Sequence, residues 1–234
     1  MPHETPSQLH LGCGLVTPKG WLNVDGSMNA RLTKIPLVRP LLIATGIMGK
    51  READTHWSRE VFVTNLNKPL PFPDASFTAV YCSHTLEHMY LEKADALLRE
   101  CFRVLKPRGV ARFVVPDLRA IVNEYNGGPS LAHCFPFSPP DAPAADRMCD
   151  RMLFHERFPL KGSFIWRLYS ATTSFHWHKW MYDAESLAWH FTRAGFTDAR
   201  QRNTFDSAIP GIRDIERADR IDNNAGIAVE GVKP

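Results

Sequence analysis

The chain has 234 residues, 44% of them hydrophobic and 23% charged, a composition that suits one globular domain with an apolar core. A formal net charge of only +3 at pH 7 argues against a nucleic-acid-binding protein, and no nucleic-acid-binding motif is present. The five cysteines form no C-x-x-C pair, which argues against a disulfide or zinc framework and favours reduced thiols in a cytoplasmic protein.

Neither a signal peptide nor a transmembrane segment is predicted. The N-terminal MPHETPSQ has no basic and no apolar region. The most apolar run, residues 35–49, contains two prolines and Arg39 and is shorter than the roughly 20 residues that span a bilayer. A packed pair of helices is the preferred interpretation of this run, and transient contact with a membrane surface or a lipid-linked acceptor is the alternative.

Apolar runs alternate with helical patterns, which predicts an α/β fold with a mostly parallel sheet. Five strands are predicted in the first half of the chain, over residues 8–12, 21–25, 60–66, 77–83 and 110–116. Two further segments, 197–205 and 225–232, are candidates for a closing pair of strands.

Three helices follow from periodicity and capping. The clearest lies between the fourth and fifth strands, where apolar residues recur at steps of three and four: Ala94, Leu97, Leu98, Cys101 and Leu105. The sequence KPRG at 106–109 is expected to end it. A second helix is predicted over 118–125, and a third from an N-cap at Asp183 to Gly195.

Two segments do not fit the alternating pattern. Residues 27–58 and 127–180 are predicted to be insertions in a single domain spanning 1–234. They are expected to form a lid or an acceptor-binding cap. The second is rich in proline and then in aromatic residues. These aromatics could stack on a sugar, but a small apolar core within the insertion is the preferred interpretation.

The strand at 8–12 ends in Gly12-x-Gly14, which would let a ligand approach the backbone closely. The dinucleotide fingerprint requires a third glycine, and Thr17 occupies its position. Asp25 ends the next strand, where a carboxylate can accept hydrogen bonds from ribose hydroxyls. Only ten residues separate Gly14 from Asp25, so the first helix is very short or absent, which argues against a pyrophosphate-containing cofactor.

Four segments together resemble the class I S-adenosylmethionine-dependent methyltransferases: LHLGCG, GWLNVD, VTNLNKPLPFPDASFTAVYCSHTLEHM and LLRECFRVLKPRGVARFVVPDL. The resemblance covers residues 8–118 and is greatest to a small bacterial branch often linked to polysaccharide biosynthesis. It implies S-adenosyl-L-methionine as cofactor. It also implies a Rossmann-like three-layer sandwich, with a seven-stranded, mostly parallel sheet and one antiparallel strand.

The resemblance also implies the positions of the cofactor-binding residues. Gly12, Cys13 and Gly14, with Leu11 before them, would lie beside the methionine and ribose. Asp25 and Gly26 would lie at the ribose hydroxyls, Asn65 and Leu66 at the adenine, and Ser83 and His84 near the sulfonium. Asn65 stands where the family usually has aspartate, so that contact would carry no charge.

The segment His84-Thr-Leu-Glu87-His88 also matches H-x-x-E-H, a zinc-hydrolase motif. That motif requires both histidines on one helix. His84 directly follows a predicted strand, so no metal is predicted here. Glu87 is interpreted as the anchor of the turn, accepting hydrogen bonds from backbone donors.

The expected reaction is methyl transfer to a hydroxyl of a sugar, nucleotide-sugar or glycan precursor, by a monomer or homodimer. A hydroxyl acceptor requires a base, and the candidates are His84, His88, His176 and His178. One alternative is O- or N-methylation of a small non-sugar metabolite, where a neutral amine would need no base. The other is a catalytically inactive cofactor-binding module.

Overall fold

A computed structural model of the protein describes residues 6–35, 37–45, 57–131, 142–153, 177–222 and 226–234. These residues form one seven-stranded sheet in the order β3-β2-β1-β4-β5-β7-β6. The strands are β1 Gln8–Leu11, β2 Trp21–Asp25, β3 Phe62–Val63, β4 Phe77–Ser83, β5 Leu105–Val115, β6 Thr197–Arg202 and β7 Ile227–Val232. Only β7 runs antiparallel to its neighbours, so the predicted seven-stranded sheet with one antiparallel strand is confirmed.

Six α-helices are described: α1 Met28–Lys34, α2 Val38–Ala44, α3 Leu91–Val104, α4 Leu118–Tyr125, α5 Ala144–Met152 and α6 Ala184–Arg193. Three short 3-10 helices span Leu86–His88, Ile212–Asp214 and Ala218–Arg220. Residues 12–20, all of them described, contain no helix, which confirms the missing first helix. The predicted N-cap at Asp183 is also confirmed, because its side chain accepts a hydrogen bond from Ser186 N at 2.8 Å.

The predicted apolar stripe packs α3 against the sheet, but the boundary after it was predicted wrongly. The helix ends at Val104, and β5 begins at Leu105, so residues 106–109 lie inside a strand. They bulge out of the ladder, because Leu105 pairs with Phe77 while the next pair joins Val110 to Ala79. Hydrogen bonds with Lys233 near the chain end support the bulge. Proline and glycine here distort a strand instead of ending it.

Three further strand bounds differ from prediction. Residues 60–66 yield only the two-residue β3, because pairing with β2 covers only Phe62 and Val63. β6 ends at Arg202, and β7 begins at Ile227.

The two faces of the sheet are covered differently. On one face, α3 and α6 enclose an apolar core that includes Leu9, Leu11 and Phe113. The other face carries the side chains of Trp21 and Tyr81, which pack against the irregular segment 203–221 through its isoleucines, Ile209, Ile212 and Ile215. With no helix between β1 and β2, this late segment covers that part of the sheet.

The described parts of the two predicted insertions include α1, α2 and α5. On α2 and just before it, apolar side chains remain exposed, and Leu37 reaches 80%. α5 packs on α4. The aromatic residues between 164 and 175 lie outside the described residues, as does residue 176. Among the helices that the structure describes, none has both the length and the apolar character needed to cross a membrane.

Candidate functional site

A pocket of about 500 Å³ opens where β1 and β4 end. Its lining includes residues 12–16 after β1, and Ser83, His84, Glu87 and His88 after β4. The carboxyl ends of parallel strands are where open α/β sheets bind ligands, and the volume lies within the range of small-molecule sites. Leu153, Trp177 and His178, which fall within the second predicted insertion, also line it.

Glycine is required at positions 12 and 14, just after β1, for different structural reasons. Both adopt positive φ, 63° at Gly12 and 53° at Gly14. A Cβ at position 12 would lie 2.0 Å from Thr85 Oγ1, so Gly12 allows the segment after β4 to approach. A Cβ at position 14 would meet nothing within 4 Å. The space in front of Gly14 therefore leaves the backbone accessible to a ligand.

Asp25 connects the ends of β1 and β2. Its Oδ2 accepts a hydrogen bond from Gly14 N at 2.9 Å, and its Oδ1 accepts one from Ser27 N at 2.7 Å. A carboxylate has about four lone-pair positions, so acceptor capacity remains for ribose hydroxyls. Asp25 holds the glycine loop in place.

The predicted adenine-side residues gather beside Asp25. Gly26 lies against the backbone of Thr64 and Asn65, where a Cβ would approach Thr64 O to 2.5 Å. Asn65 Oδ1 accepts a hydrogen bond from Asn67 N at 3.0 Å. Leu66 packs against the core.

Five predicted cofactor-binding residues are absent from the pocket lining: Leu11, Asp25, Gly26, Asn65 and Leu66. The side chain of Leu11 is fully buried in the core, so only its backbone could reach a ligand. Cys13 lines the pocket, and burial, with the charge of Asp25, raises the pKa of its thiol to about 12. It is therefore a neutral thiol at physiological pH.

His84 occupies a strained position at the end of β4. Its φ is 50°, uncommon for a residue with a side chain, and its backbone N donates to Val114 O at 2.9 Å. Its Nδ1 lies 3.2 Å from Glu87 Oε1. Its Nε2 is buried and has no hydrogen-bond partner among the described residues. His84 precedes the 3-10 helix that contains His88, so the two histidines share no α-helix.

Glu87 does not have the predicted turn-anchoring role. Its side chain is fully buried, and neither carboxylate oxygen accepts a well-aligned hydrogen bond from the described residues. Its backbone carbonyl instead accepts from Lys179 N at 2.7 Å and Trp180 N at 3.3 Å. The main chain of Glu87 therefore anchors the 177–180 segment, and its carboxylate faces histidines.

His88 and His178 meet beside Glu87. His88 Nδ1 lies 3.2 Å from Trp177 O, and His88 Nε2 lies 4.0 Å from Glu87 Oε1. The rings of His88 and His178 have centroids 5.0 Å apart. His178 Nδ1 is buried without a partner among the described residues. Ligand atoms of Glu87, His88 and His178 all lie within 4.8 Å of one another, so this group could hold a metal ion.

Burial and neighbouring charges shift several pKa values in the pocket. Burial by itself would raise the pKa of Glu87, but the neighbouring histidines outweigh it and lower the value to about 2. Burial lowers the pKa of His178 to about 4, and it does the same for His10. At neutral pH the pocket therefore combines the ionised carboxylate of Glu87 with neutral imidazoles at His178 and His10.

The sequence analysis missed several lining residues, among them His10, Trp177, Arg217 and Arg220. His10 had a detectable signal, because a polar residue between Leu9 and Leu11 in an apolar strand points to a buried polar group. Its Nδ1 donates to Asn23 Oδ1 at 3.1 Å. Nothing in the local sequence marks the two arginines as pocket residues.

Several solved structures have similar folds. One is a chain of the complex between the Haloferax volcanii Trm112 methyltransferase activator and a protein assigned as a methyltransferase. It is 17% identical to this chain, the alignment covers 100% of this chain and 85% of that chain, and the TM-score is 0.47. An S-adenosylmethionine-dependent methyltransferase from Thermotoga maritima has 13% identity, coverage of 97% and 82%, and a TM-score of 0.44. A third, from Archaeoglobus fulgidus, is 16% identical, covers 97% of this chain and 85% of its own, and has a TM-score of 0.46. At these low TM-scores the similarities carry no argument about activity. Among curated proteins, none matches the chain.

A family profile described as a methyltransferase domain matches residues 9–113, the part that contains β1 to β4 and most of β5. The residues present suit S-adenosyl-L-methionine, because the space before Gly14 is open and Asp25 retains lone pairs for ribose hydroxyls. The seven-stranded sheet and its one antiparallel strand, β7, agree with what the resemblance implies. Over residues 9–113 the chain therefore has the features of a methyltransferase domain that uses S-adenosyl-L-methionine.

Proposed function

We propose that this enzyme methylates a hydroxyl oxygen, with His84 as the general base. The observation that carries the proposal is the buried Nε2 of His84, which has no partner among the described residues and belongs to the pocket that the Gly12–Gly14 loop also lines. Because Nδ1 of His84 faces the Glu87 carboxylate at 3.2 Å, a proton on Nδ1 is favoured and Nε2 carries the lone pair.

The transfer follows from these positions. When bound, S-adenosyl-L-methionine supplies a methyl group on a positively charged sulfur. The acceptor oxygen forms a bond to the methyl carbon, while the carbon–sulfur bond breaks and its electron pair stays on sulfur. The hydroxyl proton passes to His84 Nε2, and Glu87 stabilises the imidazolium that results. The pocket contributes mainly by aligning oxygen, carbon and sulfur.

The acceptor in this proposal is a sugar, nucleotide-sugar or glycan precursor, as in polysaccharide biosynthesis. Two features of the lining support it. Trp177 offers an aromatic surface against which a sugar ring can pack. Arg217 and Arg220 also line the pocket, and guanidinium groups bind phosphate oxygens with bidentate geometry.

We further propose that the two insertions, near 27–58 and 127–180, belong to a single domain and cover the acceptor. Support comes from the second insertion, which contributes Leu153, Trp177 and His178 to the lining. The 177–180 segment is held against Glu87 through backbone hydrogen bonds, so part of this cap is tied to the end of β4.

Two variants test the roles of cofactor and base. Asp25→Ala should weaken cofactor binding about tenfold to hundredfold, because two backbone hydrogen bonds to a charged group are lost along with the ribose contact. His84→Asn should retain cofactor affinity but lower kcat about 10²- to 10⁴-fold. Asparagine is chosen because it tolerates the positive φ at this position.

The measurements are calorimetric titration with S-adenosyl-L-methionine, and a methyl-transfer assay over pooled sugars, nucleotide-sugars and amines. His190→Asn serves as the matched control, because the His190 side chain is also largely enclosed, at 6% exposure against 13% for His84, but pairs with Asp95 instead of lining the pocket. Absence of binding heat in the wild type would contradict the proposal. Transfer to amines alone, with His84→Asn fully active, would favour the N-methyltransferase. Tight binding without any transfer would favour a binding module.

A further inference from the structure

The buried carboxylate of Glu87 faces histidine side chains but has no well-aligned hydrogen bond among the described residues. Its carboxylate is fully buried, and a carboxylate taken out of water needs hydrogen bonds or a cation to offset the cost of burial. Three histidines surround it, of which His84 and His88 approach its Oε1 to 3.2 and 4.0 Å.

The orientation of the His88 ring directs its Nε2 toward the Glu87 carboxylate. The Trp177 carbonyl can only accept, so His88 Nδ1 donates to it at 3.2 Å. His88 Nε2 then faces Glu87 Oε1 across 4.0 Å, which is too long for a hydrogen bond. That separation is about half an ångström longer than the distance between two ligand atoms of a tetrahedral ion with bonds of about 2.0–2.2 Å.

His178 brings a third ligand from a distant part of the chain. The Nδ1 of His178 is buried without a partner among the described residues. One ring nitrogen of His178 lies within 4.8 Å of ligand atoms of Glu87 and His88. Ligand atoms of a tetrahedral ion with bonds of about 2.1 Å lie about 3.4 Å apart, so the ligand atoms would have to approach one another by up to about 1.4 Å when the ion binds.

We propose that Glu87, His88 and His178 bind one divalent transition-metal ion, and that this ion binds the acceptor hydroxyl. The second clause rests on the proposed function, whereas the first does not. Two imidazoles and one carboxylate form the ligand set of catalytic zinc sites with an open position and of several iron sites. Mg²⁺ and Ca²⁺ prefer oxygen ligands and are excluded by this set.

The surroundings complete the site. The Trp177 carbonyl orients His88, as carbonyl groups commonly orient metal-binding histidines, and His84 Nδ1 contacts the carboxylate of Glu87. All three ligands line the pocket, so the remaining coordination positions face the acceptor. A hydroxyl bound to the ion becomes more acidic, and its proton passes to His84 Nε2 while the oxygen takes the methyl group. The ion keeps its charge throughout.

The first experiment measures metal binding without reference to activity. Protein purified without chelators is analysed for bound metals, then stripped and titrated with Zn²⁺, Mn²⁺, Co²⁺ and, separately, Mg²⁺. We expect one transition-metal ion per chain, a visible absorption band on Co²⁺ binding, and no competition by Mg²⁺. Glu87→Gln and His178→Asn should each lose this binding. His190→Asn should retain it, because His190 is 6% exposed against 7% for His178 and lies outside the cluster.

Each outcome decides the inference. Absence of stoichiometric binding in the wild type, or unchanged binding in both ligand variants, overturns it. If a variant fails to fold, the Co²⁺ spectrum of the wild-type protein decides instead, because a site of two imidazoles and one carboxylate gives a stronger band than the six-coordinate hydrated ion, and unchanged absorption would overturn the site.

Cofactor calorimetry on the same protein separates this inference from the proposed function. Metal bound without S-adenosyl-L-methionine binding would contradict the enzyme but leave the site intact. Cofactor bound without metal would remove the site and leave the enzyme. If metal binds, chelation should lower the transfer rate at least about tenfold and added metal should restore it. An unchanged rate would overturn the ion's role at the acceptor.

Discussion

In the loop after β1, Gly12 is needed for packing and Gly14 for ligand access. Gly12 and Gly14 share a positive φ but differ in what surrounds them, because Thr85 fills the space at position 12 and the space at position 14 is open. The sequence analysis assigned both glycines to ligand approach. The structure supports that reason at Gly14, whereas Gly12 is required by packing within the protein.

Three alanine substitutions test this distinction. Gly12→Ala should destabilise the protein by more than about 2 kcal/mol, since it adds a clash with Thr85 to the strain of a positive φ. Gly14→Ala should cost about 1–2 kcal/mol but abolish cofactor binding. Gly20→Ala is the matched control, because Gly20 has φ 82° and open surroundings away from the pocket. Urea unfolding and calorimetry distinguish them. Equal stability losses at positions 12 and 20 would contradict the packing role.

At the scale of elements, α4 and α5 are joined through one buried acid. Glu124 on α4 forms ion pairs with Arg151 and Arg147 of α5 and accepts a hydrogen bond from Ser130 Oγ at 3.1 Å. Burial alone would raise the pKa of Glu124, but Arg151 and Ser130 hold it below its ordinary value. This contact ties α5, which lies within the second predicted insertion, to α4.

The contact should make stability depend on pH. The folded-state pKa of Glu124 is lowered, so its stabilisation is present above the ordinary value of 4.5 and is lost as the pH falls through the folded-state value. Glu124→Gln should therefore cost about 2 kcal/mol at pH 7 and progressively less below pH 4.5. Melting temperatures across this range measure the difference.

Glu185→Gln is the control for that series, because Glu185 is 84% exposed beside Arg119 and should change stability by less than about 0.5 kcal/mol at any pH. A cost for Glu124→Gln that does not vary with pH would show that the ion pair is not its source.

At the scale of the whole molecule, one row of polar side chains crosses the sheet. Strand register places Asn23, His10, Tyr81, Arg112 and Glu230 side by side on β2, β1, β4, β5 and β7. This row lies on the face that segment 203–221 covers, and its His10 end reaches the pocket.

Arg112 is the centre of that row. It is fully buried and pairs with Glu216 at 2.7 Å and with Glu230 at 3.4 Å. It also donates to the carbonyls of Asn203 and Asp206. Arg112 therefore holds segment 203–221 against the sheet, and this segment contributes Arg217 and Arg220 to the pocket lining.

Replacing Arg112 should have a large effect. Arg112→Leu leaves two buried carboxylates without their cation and should cost about 3–5 kcal/mol in the free energy of unfolding. Arg200→Leu, which breaks an exposed pair with Asp198, is the matched control and should cost less than about 1 kcal/mol. Chemical denaturation measures both. Similar values for the two variants would refute the central role of Arg112.

Local patterns were sufficient for much of the fold. β-branched and apolar runs predicted β1, β2 and β4, the apolar stripe predicted α3, and a short span between Gly14 and Asp25 predicted the missing helix. These features depend on neighbours a few residues apart, so the sequence alone carries them. The bulge at 106–109 was missed, because proline and glycine end helices and distort strands alike, and pairing with Lys233 selects between the two.

The surroundings of the H-x-x-E-H motif came from tertiary structure alone. The sequence correctly predicted that His84 and His88 share no helix, and on that basis predicted no metal. The group that forms instead joins Glu87 and His88 to His178, 90 residues further along the chain, because backbone hydrogen bonds dock the 177–180 segment on Glu87. Spacing in a sequence records which side chains can meet along one element. Side chains from distant segments meet only where strand order and docking bring those segments together, and no local pattern encodes that.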